Sequence, residues 1–309
     1  MRKLFLSISI IVLSLSGVVK AQQLPLYTYL LTNRFIINPA TIGSVRQPSI
    51  DLMARQQWLG FKNAPRDIFI SYQAYVPKTH TGWGIALSGD QTASLSRNTL
   101  HLAYDYRLKL KKDLSMSIGL GAQIMQVGVN MDRIGTALDN NDVVLNRSGN
   151  SYTADLGVGV FVFNSKWNVG ISTLQLTQTK LGLLENKVSD ARNARHYYLL
   201  GGYNSKLNSK WVLRNMALVT ASFRSPYTAE YLGQFRYKER IWFHVGGRSQ
   251  GSALVGGGMG LDNGIRIGYI FETPSFSKGA LPGTSHEINI SYVFVNVKYK
   301  PKAVPGSTL

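Results

Sequence analysis

Leu100-His101-Leu102-Ala103-Tyr104-Asp105-Tyr106-Arg107-Leu108-Lys109-Leu110 is the stretch that decides the fold. Every second side chain from Leu100 to Leu110 is apolar or aromatic, while His101, Asp105, Arg107 and Lys109 fall on the alternate positions. Side chains along a strand point to opposite faces in turn, so this period of two predicts a strand with one oily and one wet side. The pattern recurs at 264–272, where Ile265, Ile267, Tyr269 and Phe271 oppose Arg266 and Gly268. At 284–297, Ile288, Ile290, Tyr292 and Phe294 oppose Glu287, Asn289 and Ser291. At 113–129, Met116, Ile118, Leu120, Ala122 and Ile124 oppose Ser115, Ser117, Gly119, Gly121 and Gln123. The second face is small or polar throughout, as the interior of a barrel is.

Working outward, turn residues divide residues 48–298 into about 14 strands: 48–60, 66–77, 81–90, 96–110, 113–129, 151–163, 166–174, 193–206, 209–224, 228–237, 240–249, 251–261, 264–272 and 284–297. Most have at least roughly the 9–11 residues that a tilted spanning strand needs. A soluble sandwich alternates in the same way, and connection lengths separate the two readings. With the first strand running outward from the periplasm, the connections at 78–80, 111–112, 164–165, 207–208, 238–239 and Asp262-Asn263 share one rim and are tight. The long connections, 130–150, 175–192 and 273–283, fall on the other. The expectation is an all-β, transmembrane antiparallel β-barrel whose oily faces meet lipid.

The ends of the chain complete this organisation. Arg2 and Lys3 precede an apolar run from Leu4 to Val19, and Val19-Lys20-Ala21 supplies a cleavage site, so residues 1–21 read as a secretory signal peptide. Residues 22–47 are turn-rich but carry Leu30, Leu31, Phe35, Ile36 and Ile37, which need burial, and are read as an N-terminal strap or luminal plug. Residues 299–309 are a C-terminal tail. Removing Arg2, Lys3 and Lys20 lowers the formal charge from +18 to +15. An exported chain meets no nucleic acid routinely, so the expected counter-charges are lipid phosphates, lipopolysaccharide or acidic proteins.

Many of the cations collect on the tight rim. Lys78, Lys111, Lys112, Lys166, Lys206, Lys210, Lys238 and Arg240 lie in or beside its turns. They predict a positive collar that docks an acidic periplasmic partner, with simple lipid head-group contact as the alternative. Trp83, Tyr104, Tyr106, Trp167, Tyr197, Trp211, Trp242 and Tyr292 are candidates for the interfacial girdles, although the sequence does not sort outward from inward rings.

Chemistry is sparse. The chain has no cysteine, which excludes thiol catalysis, thiolate zinc sites and iron–sulfur ligation. His80, His101, His196, His244 and His286 show no paired ligand spacing, and there is no nucleophile elbow or acid/base pair, so neither an enzyme, a metal site nor a cofactor is expected. Asp139-Asn140-Asn141-Asp142 reads as a solvated turn, with a calcium-tolerant loop as the alternative. The run Gly256-Gly257-Gly258-Met259-Gly260 lacks the context of a phosphate cradle and predicts sharp curvature or the close approach of an inserted segment.

Three blocks near the N-terminus carry a family resemblance: Gln22-Gln23-x-Pro25-x-Tyr27, Ile37-Asn38-Pro39-Ala40-x-x-Gly43, and Arg55-Gln56-Gln57-Trp58-x-Gly60-Phe61-x-x-Ala64-Pro65-Arg66. With Gly246-Gly247-Arg248, Gly268-Tyr269 and Ser285-His286-Glu287-Ile288, they resemble the PorP/SprF family of type IX secretion system membrane proteins, in order and over nearly the whole mature chain. Thr41-Ile42 departs from the family pattern, where Ala-Tyr or a similar pair is common. The resemblance implies a non-enzymatic outer-membrane barrel of Bacteroidetes beside the type IX export machinery. It further implies links to secretion, gliding motility and surface anchoring of adhesins or effectors through their C-terminal domains, and to a periplasmic protein that ties the barrel to peptidoglycan.

Within those blocks, Asn38-Pro39 is expected to make a fixed turn. Arg55, Gln56, Trp58 and Arg66, near the outward end of the first strand, are expected either to lock the strap to the wall or to touch an adhesin. Two other functional readings stay open on the sequence: an outer-membrane channel for hydrophobic small molecules, and a soluble exported β-sandwich or adhesin.

Overall fold

The computed structural model describes residues 31, 33–45, 47–129, 149–180, 192–223, 225–275 and 283–294. Fourteen strands follow one another in the order of the chain: β1 Ser49–Gln56, β2 Arg66–Val76, β3 Thr81–Thr92, β4 Leu95–Lys111, β5 Leu114–Val129, β6 Gly149–Phe163 and β7 Trp167–Leu174, then β8 His196–Lys206, β9 Trp211–Ser222, β10 Ser225–Tyr237, β11 Ile241–Arg248, β12 Ser252–Gly260, β13 Ile265–Glu272 and β14 Ser285–Val293. Each pairs antiparallel with its sequence neighbours, and β1 pairs with β14 from Ser49↔Val293 to Gln56↔His286, closing the sheet. Closure leaves no edge strand, and the projecting part of β6, residues 149–157, extends beyond its ladder with β7. Two stacked sheets, the sandwich alternative, are not what forms.

The two faces sort as the period of two requires. Ile68, Leu120 and Ile171 point outward with 57%, 60% and 61% of their surface open, whereas Asp105, Ser117, Phe161 and Leu232 point inward and are fully buried. The outward face is apolar because it lies against hydrocarbon, where a backbone must satisfy its own hydrogen bonds and closed barrels do so completely. Among the described residues no helix is long and apolar enough to cross a membrane.

Turns after the even-numbered strands hold two to four residues each. At one of them Lys238 and Glu239 both adopt positive φ (47° and 58°), the backbone of a two-residue hairpin that matches strand twist. The opposite rim carries all the long connections and the projecting ends of β4, β5 and β6. Aromatic rings gather beside the short turns: Trp83 packs edge-on against Tyr104 at 4.7 Å, Trp211 lies 5.0 Å from Tyr237, and Tyr292 lies 5.0 Å from Phe294. Trp242 departs from the girdle. It is buried on the inner face, with the Arg236 guanidinium 5.5 Å over its ring.

Several strand limits differ from the sequence expectation, β10 starting at Ser225 and β14 ending at Val293 among them, and at two the cause is visible. β1 stops at Gln56: the Gln57 amide still donates to the Pro65 carbonyl, in register with the Gln56↔Arg66 pair, and Trp58 then leaves the extended backbone with a φ of 44°. β8 starts at His196 because the preceding residues belong to a loop in which the Asn193 amide donates to the Thr179 carbonyl.

Candidate functional site: the lumen and its two mouths

Residues 33–45 lie inside the cylinder. Two short 3-10 turns, Arg34–Ile36 and Pro39–Ser44, bury Phe35, Ala40 and Ile42 against inward residues drawn from most of the wall, including Met53, Phe69, Phe161, Leu232 and Leu254. The polar contacts reach opposite sides. The Asn33 amide donates to Ser71 Oγ at 2.8 Å and Asp51 Oδ2 at 3.3 Å, while Arg34 Nη1 donates to Asn168 Oδ1 at 2.8 Å, so the chain crosses the lumen from β1 and β2 to β7. Burial pushes the Arg34 guanidinium down to about 10, which leaves it charged at neutral pH. Farther along, the Gly43 amide donates to Asp105 Oδ2, and Arg107 Nη1 donates to the Gly43 carbonyl at 3.3 Å.

Asn38 organises this segment. Its side-chain oxygen accepts from the Ala40 amide at 3.0 Å, capping the turn that Pro39 starts, and its Nδ2 donates to the Val160 and Ile171 carbonyls of β6 and β7 at 3.2 and 3.3 Å. Ser172 Oγ adds a 2.6 Å bond to the Ile37 carbonyl. The fixed Asn38-Pro39 turn expected from sequence is thus a turn whose cap is also a wall contact.

Glycines make the space. A Cβ on Gly82 or Gly84 would overlap Ile42, one on Gly119 the backbone of Pro39 and Ala40, and one on Gly159 or Gly170 the Asn38 side chain. The Gly256 to Gly260 run, which sequence linked to curvature or an inserted segment, has a different neighbour: a Cβ at Gly258 would strike the Trp242 ring. The alternation of glycine with apolar residues was visible in sequence, but nothing in it pointed to partners more than a hundred residues upstream of β6 and β7.

The long-loop mouth carries a charge network. Arg55 Nη2 pairs with Glu272 Oε2 at 2.6 Å and Arg55 Nη1 with Glu287 at 3.7 Å. Arg248 pairs with Glu230 at 2.8 Å and with Glu272 at 2.7 Å, and Ser252 Oγ donates to Glu272 at 2.7 Å. Arg55, which sequence tied to the strap or to an adhesin, has these ion pairs with the wall strands β13 and β14. Gln56 donates to the Gln57 and Pro65 carbonyls and holds the β1–β2 loop. Trp58 sits over Gly283, with the adjoining Leu59 amide donating to Thr284. Arg66 is exposed at the first position of β2, opposite Gln56. The family motif is therefore split between two places: Asn38 and Pro39 deep in the lumen, Arg55 to Arg66 at the mouth.

At the short-turn mouth, Lys111, Lys112, Lys206, Lys210, Lys238 and Arg240 are all exposed. Arg240 meets Asp262 at 2.7 Å with both groups open to solvent, and Lys238 lies 5.5 Å over the Tyr237 ring. Glu239 turns inward to pair with Arg214 at 3.1 Å and Arg236 at 3.2 Å.

The histidines are separate wall residues: His101 bonds Ser88 and Gln123, His196 bonds Gln175, and His286 bonds Tyr269. Among the described residues no three His, Asp or Glu side chains gather as a metal site. The Asp139 to Asp142 run lies outside the described residues.

Closed antiparallel topology, an apolar belt, an aromatic girdle and a polar, occupied interior define a membrane β-barrel. The chain belongs to the family described as type IX secretion system membrane protein PorP/SprF, whose profile matches residues 19–292. No characterised protein sequence matches it. Among solved structures, it is similar to the toluene transporter TbuX of Ralstonia pickettii, at 11% identity and TM-score 0.53 over 85% of this chain and 94% of that one. It is similar also to a TodX mutant, titled a monoaromatic hydrocarbon channel, at 10% identity and TM-score 0.50 over 86% and 94% of the two chains. At such identities the likeness is one of fold.

Proposed function

We propose that this protein is a non-enzymatic outer-membrane barrel of the type IX secretion system that assists the secretion and surface anchoring of an adhesin or effector, gripping its C-terminal domain. Residues 1–21 act as a cleaved signal peptide and residues 22–47 as a plug that keeps the lumen shut. The long connections 130–150 and 175–192, with the outer mouth, receive the substrate domain. The basic collar at the periplasmic mouth engages an acidic protein that tethers the barrel to peptidoglycan, beside other type IX components, and the same system serves gliding motility.

The observation that carries this reading is the asymmetry of the rims: exposed cations on two-to-four-residue turns at one end, every long connection at the other. Rigid, short, charged turns suit a protein–protein contact on the periplasmic side, and long loops suit recognition outside. Co-purification from detergent-solubilised outer membranes tests it. The barrel should bring down an exported substrate and a periplasmic partner, and Lys111→Glu with Lys112→Glu should release the latter. Recovery of the barrel alone, with neither, overturns the proposal.

A second reading has one observation in its favour. A cavity of about 60 Å³ beside the luminal segment has Ile36, Ile37, Phe69, Met125, Leu174 and Tyr198 on one part of its lining and polar residues, Asp90, Arg97, His101 and Gln123 among them, on the rest. A mainly apolar surface with a few polar groups suits a small hydrophobic molecule, and the reading is a channel for hydrophobic compounds. Uptake of a radiolabelled apolar solute into vesicles containing the barrel, above the rate for empty vesicles, would favour it.

A further inference from the structure

A larger cavity, of about 90 Å³, opens on the other side of the luminal segment, toward the short-turn mouth. Its lining brings together three guanidinium groups from three separate parts of the chain: Arg34 of the luminal segment, Arg236 of β10 and Arg266 of β13. Asp51 lines the same space, held by Asn33 and Ser49, and Glu239 bridges Arg214 and Arg236 from the turn. Like charges drawn together inside a wall repel more strongly than they do in water, and an anion among them offsets that cost.

A second observation points into the same space. His244 lines it and is only 5% exposed, and its Nδ1 has no hydrogen-bond partner among the described residues. A buried ring nitrogen left in that state fits a site whose remaining partner is a ligand. Trp242 and Ile270 supply an apolar floor. Lys238 and Arg240 stand exposed in the turn between β10 and β11, the strands that carry Arg236 and His244.

We infer that this cavity is a binding site for a phosphate-type oxyanion, with Arg34, Arg236 and Arg266 as its forked donors and His244 completing the set. Guanidinium groups bind oxyanions through paired N–H donors. Three of them arriving from different sides offer more donors than the two oxygens of one carboxylate accept, and the additional oxygens of a phosphate or pyrophosphate use them. The inference does not depend on the secretion role, because it concerns only luminal residues.

The test uses the full-length barrel purified in detergent and titrated with sodium pyrophosphate, read by tryptophan fluorescence and by thermal shift, since a ligand that binds only the folded state raises its melting temperature. Saturable binding is expected, weakened by about tenfold or more in the Arg236→Gln, Arg266→Gln double variant. Lys238→Gln with Arg240→Gln, which alters the collar alone, should leave the affinity within about twofold, as rim charges act mainly on rates. Arg236→Lys with Arg266→Lys retains the charge and serves if the glutamine pair fails to fold; it too should bind more weakly, having lost the forks. Competition by detergent-dispersed phosphatidic acid would identify a lipid phosphate as the source, and lack of competition a soluble one. Absence of saturable binding, or binding lost only in the collar variant, overturns the inference. Hexa-aspartate competing as strongly as pyrophosphate overturns the phosphate assignment.

Discussion

Arg55 Nη2 meets Glu272 Oε2 at 2.6 Å, tying β1 to β13 over the inner face of β14, the strand between them. The pair spans the seam where the first and last strands close the cylinder. Glu272 is shared, since Arg248 and Ser252 also hold it. Either substitution leaves Glu272 with two partners, but Arg248→Ala also takes from buried Glu230 its 2.8 Å ion pair, whereas Arg55→Ala takes from Glu287 a contact of 3.7 Å. Breaking a buried pair costs about 3–5 kcal/mol. The Arg248 variant should approach that range and the Arg55 variant fall below it, as read from urea midpoints in lipid vesicles; equal losses would contradict the shared-glutamate arrangement.

Asn38 gives a sharper contrast. Asn38→Ala removes the cap and leaves the Val160 and Ile171 carbonyls without its Nδ2, a loss of about 1–3 kcal/mol for buried polar groups left unmade. Asn38→Asp keeps an acceptor for the Ala40 amide but brings no donor to those carbonyls. Both should expose the N-terminal segment to protease in detergent, at similar rates. If the aspartate variant stays protected, the wall bonds contribute little.

Gly119→Val tests the fit of the segment against β5. The added side chain collides with Pro39 and Ala40, while the β5 ladder to β4 and β6 is untouched. Overpacking of this kind costs about 1–3 kcal/mol. The variant should still migrate as a folded, heat-modifiable barrel, but with residues 33–45 cleaved readily and with ion conductance raised in planar bilayers. Gly258→Val, which strikes the Trp242 ring instead, should leave cleavage of the segment unchanged.

The lipid-facing assignment predicts a depth-dependent penalty. Leu120→Arg, near the middle of β5, should destabilise by about 2–4 kcal/mol and Tyr152→Arg, near the strand end, by about 0–1 kcal/mol. Vesicle unfolding measurements check both values, and equal penalties would mean that Leu120 does not face hydrocarbon.

The fold was legible because the signal is geometric and local. Period two in β4, β5, β13 and β14, interrupted by turn residues, placed all fourteen strands, and connection lengths separated the rims. Limits slipped where loops fold back, as at Trp58, whose left-handed backbone no propensity foretells. The interior was legible only in part. Asn38-Pro39 announced a turn, yet its seat between Val160 and Ile171 depends on contacts 122 and 133 residues away, which no local pattern encodes. The same distance hid the role of Gly159 and Gly170, since a glycine that admits a neighbour and one that merely bends a strand look alike. Trp242 went inward for a related reason: the glycine that receives it, Gly258, lies on another strand.

The position of residues 33–45 also constrains how the molecule is made. This stretch precedes all fourteen described strands, yet its seat is built from β1 to β7, and only positions 46–48 connect it to the start of β1. Three residues reach at most about 10 Å, so the segment is leashed at the entrance of a chamber that does not exist until later hairpins have been added. Whatever inserts this polypeptide into the membrane must close the cylinder around a segment that comes before its first described strand.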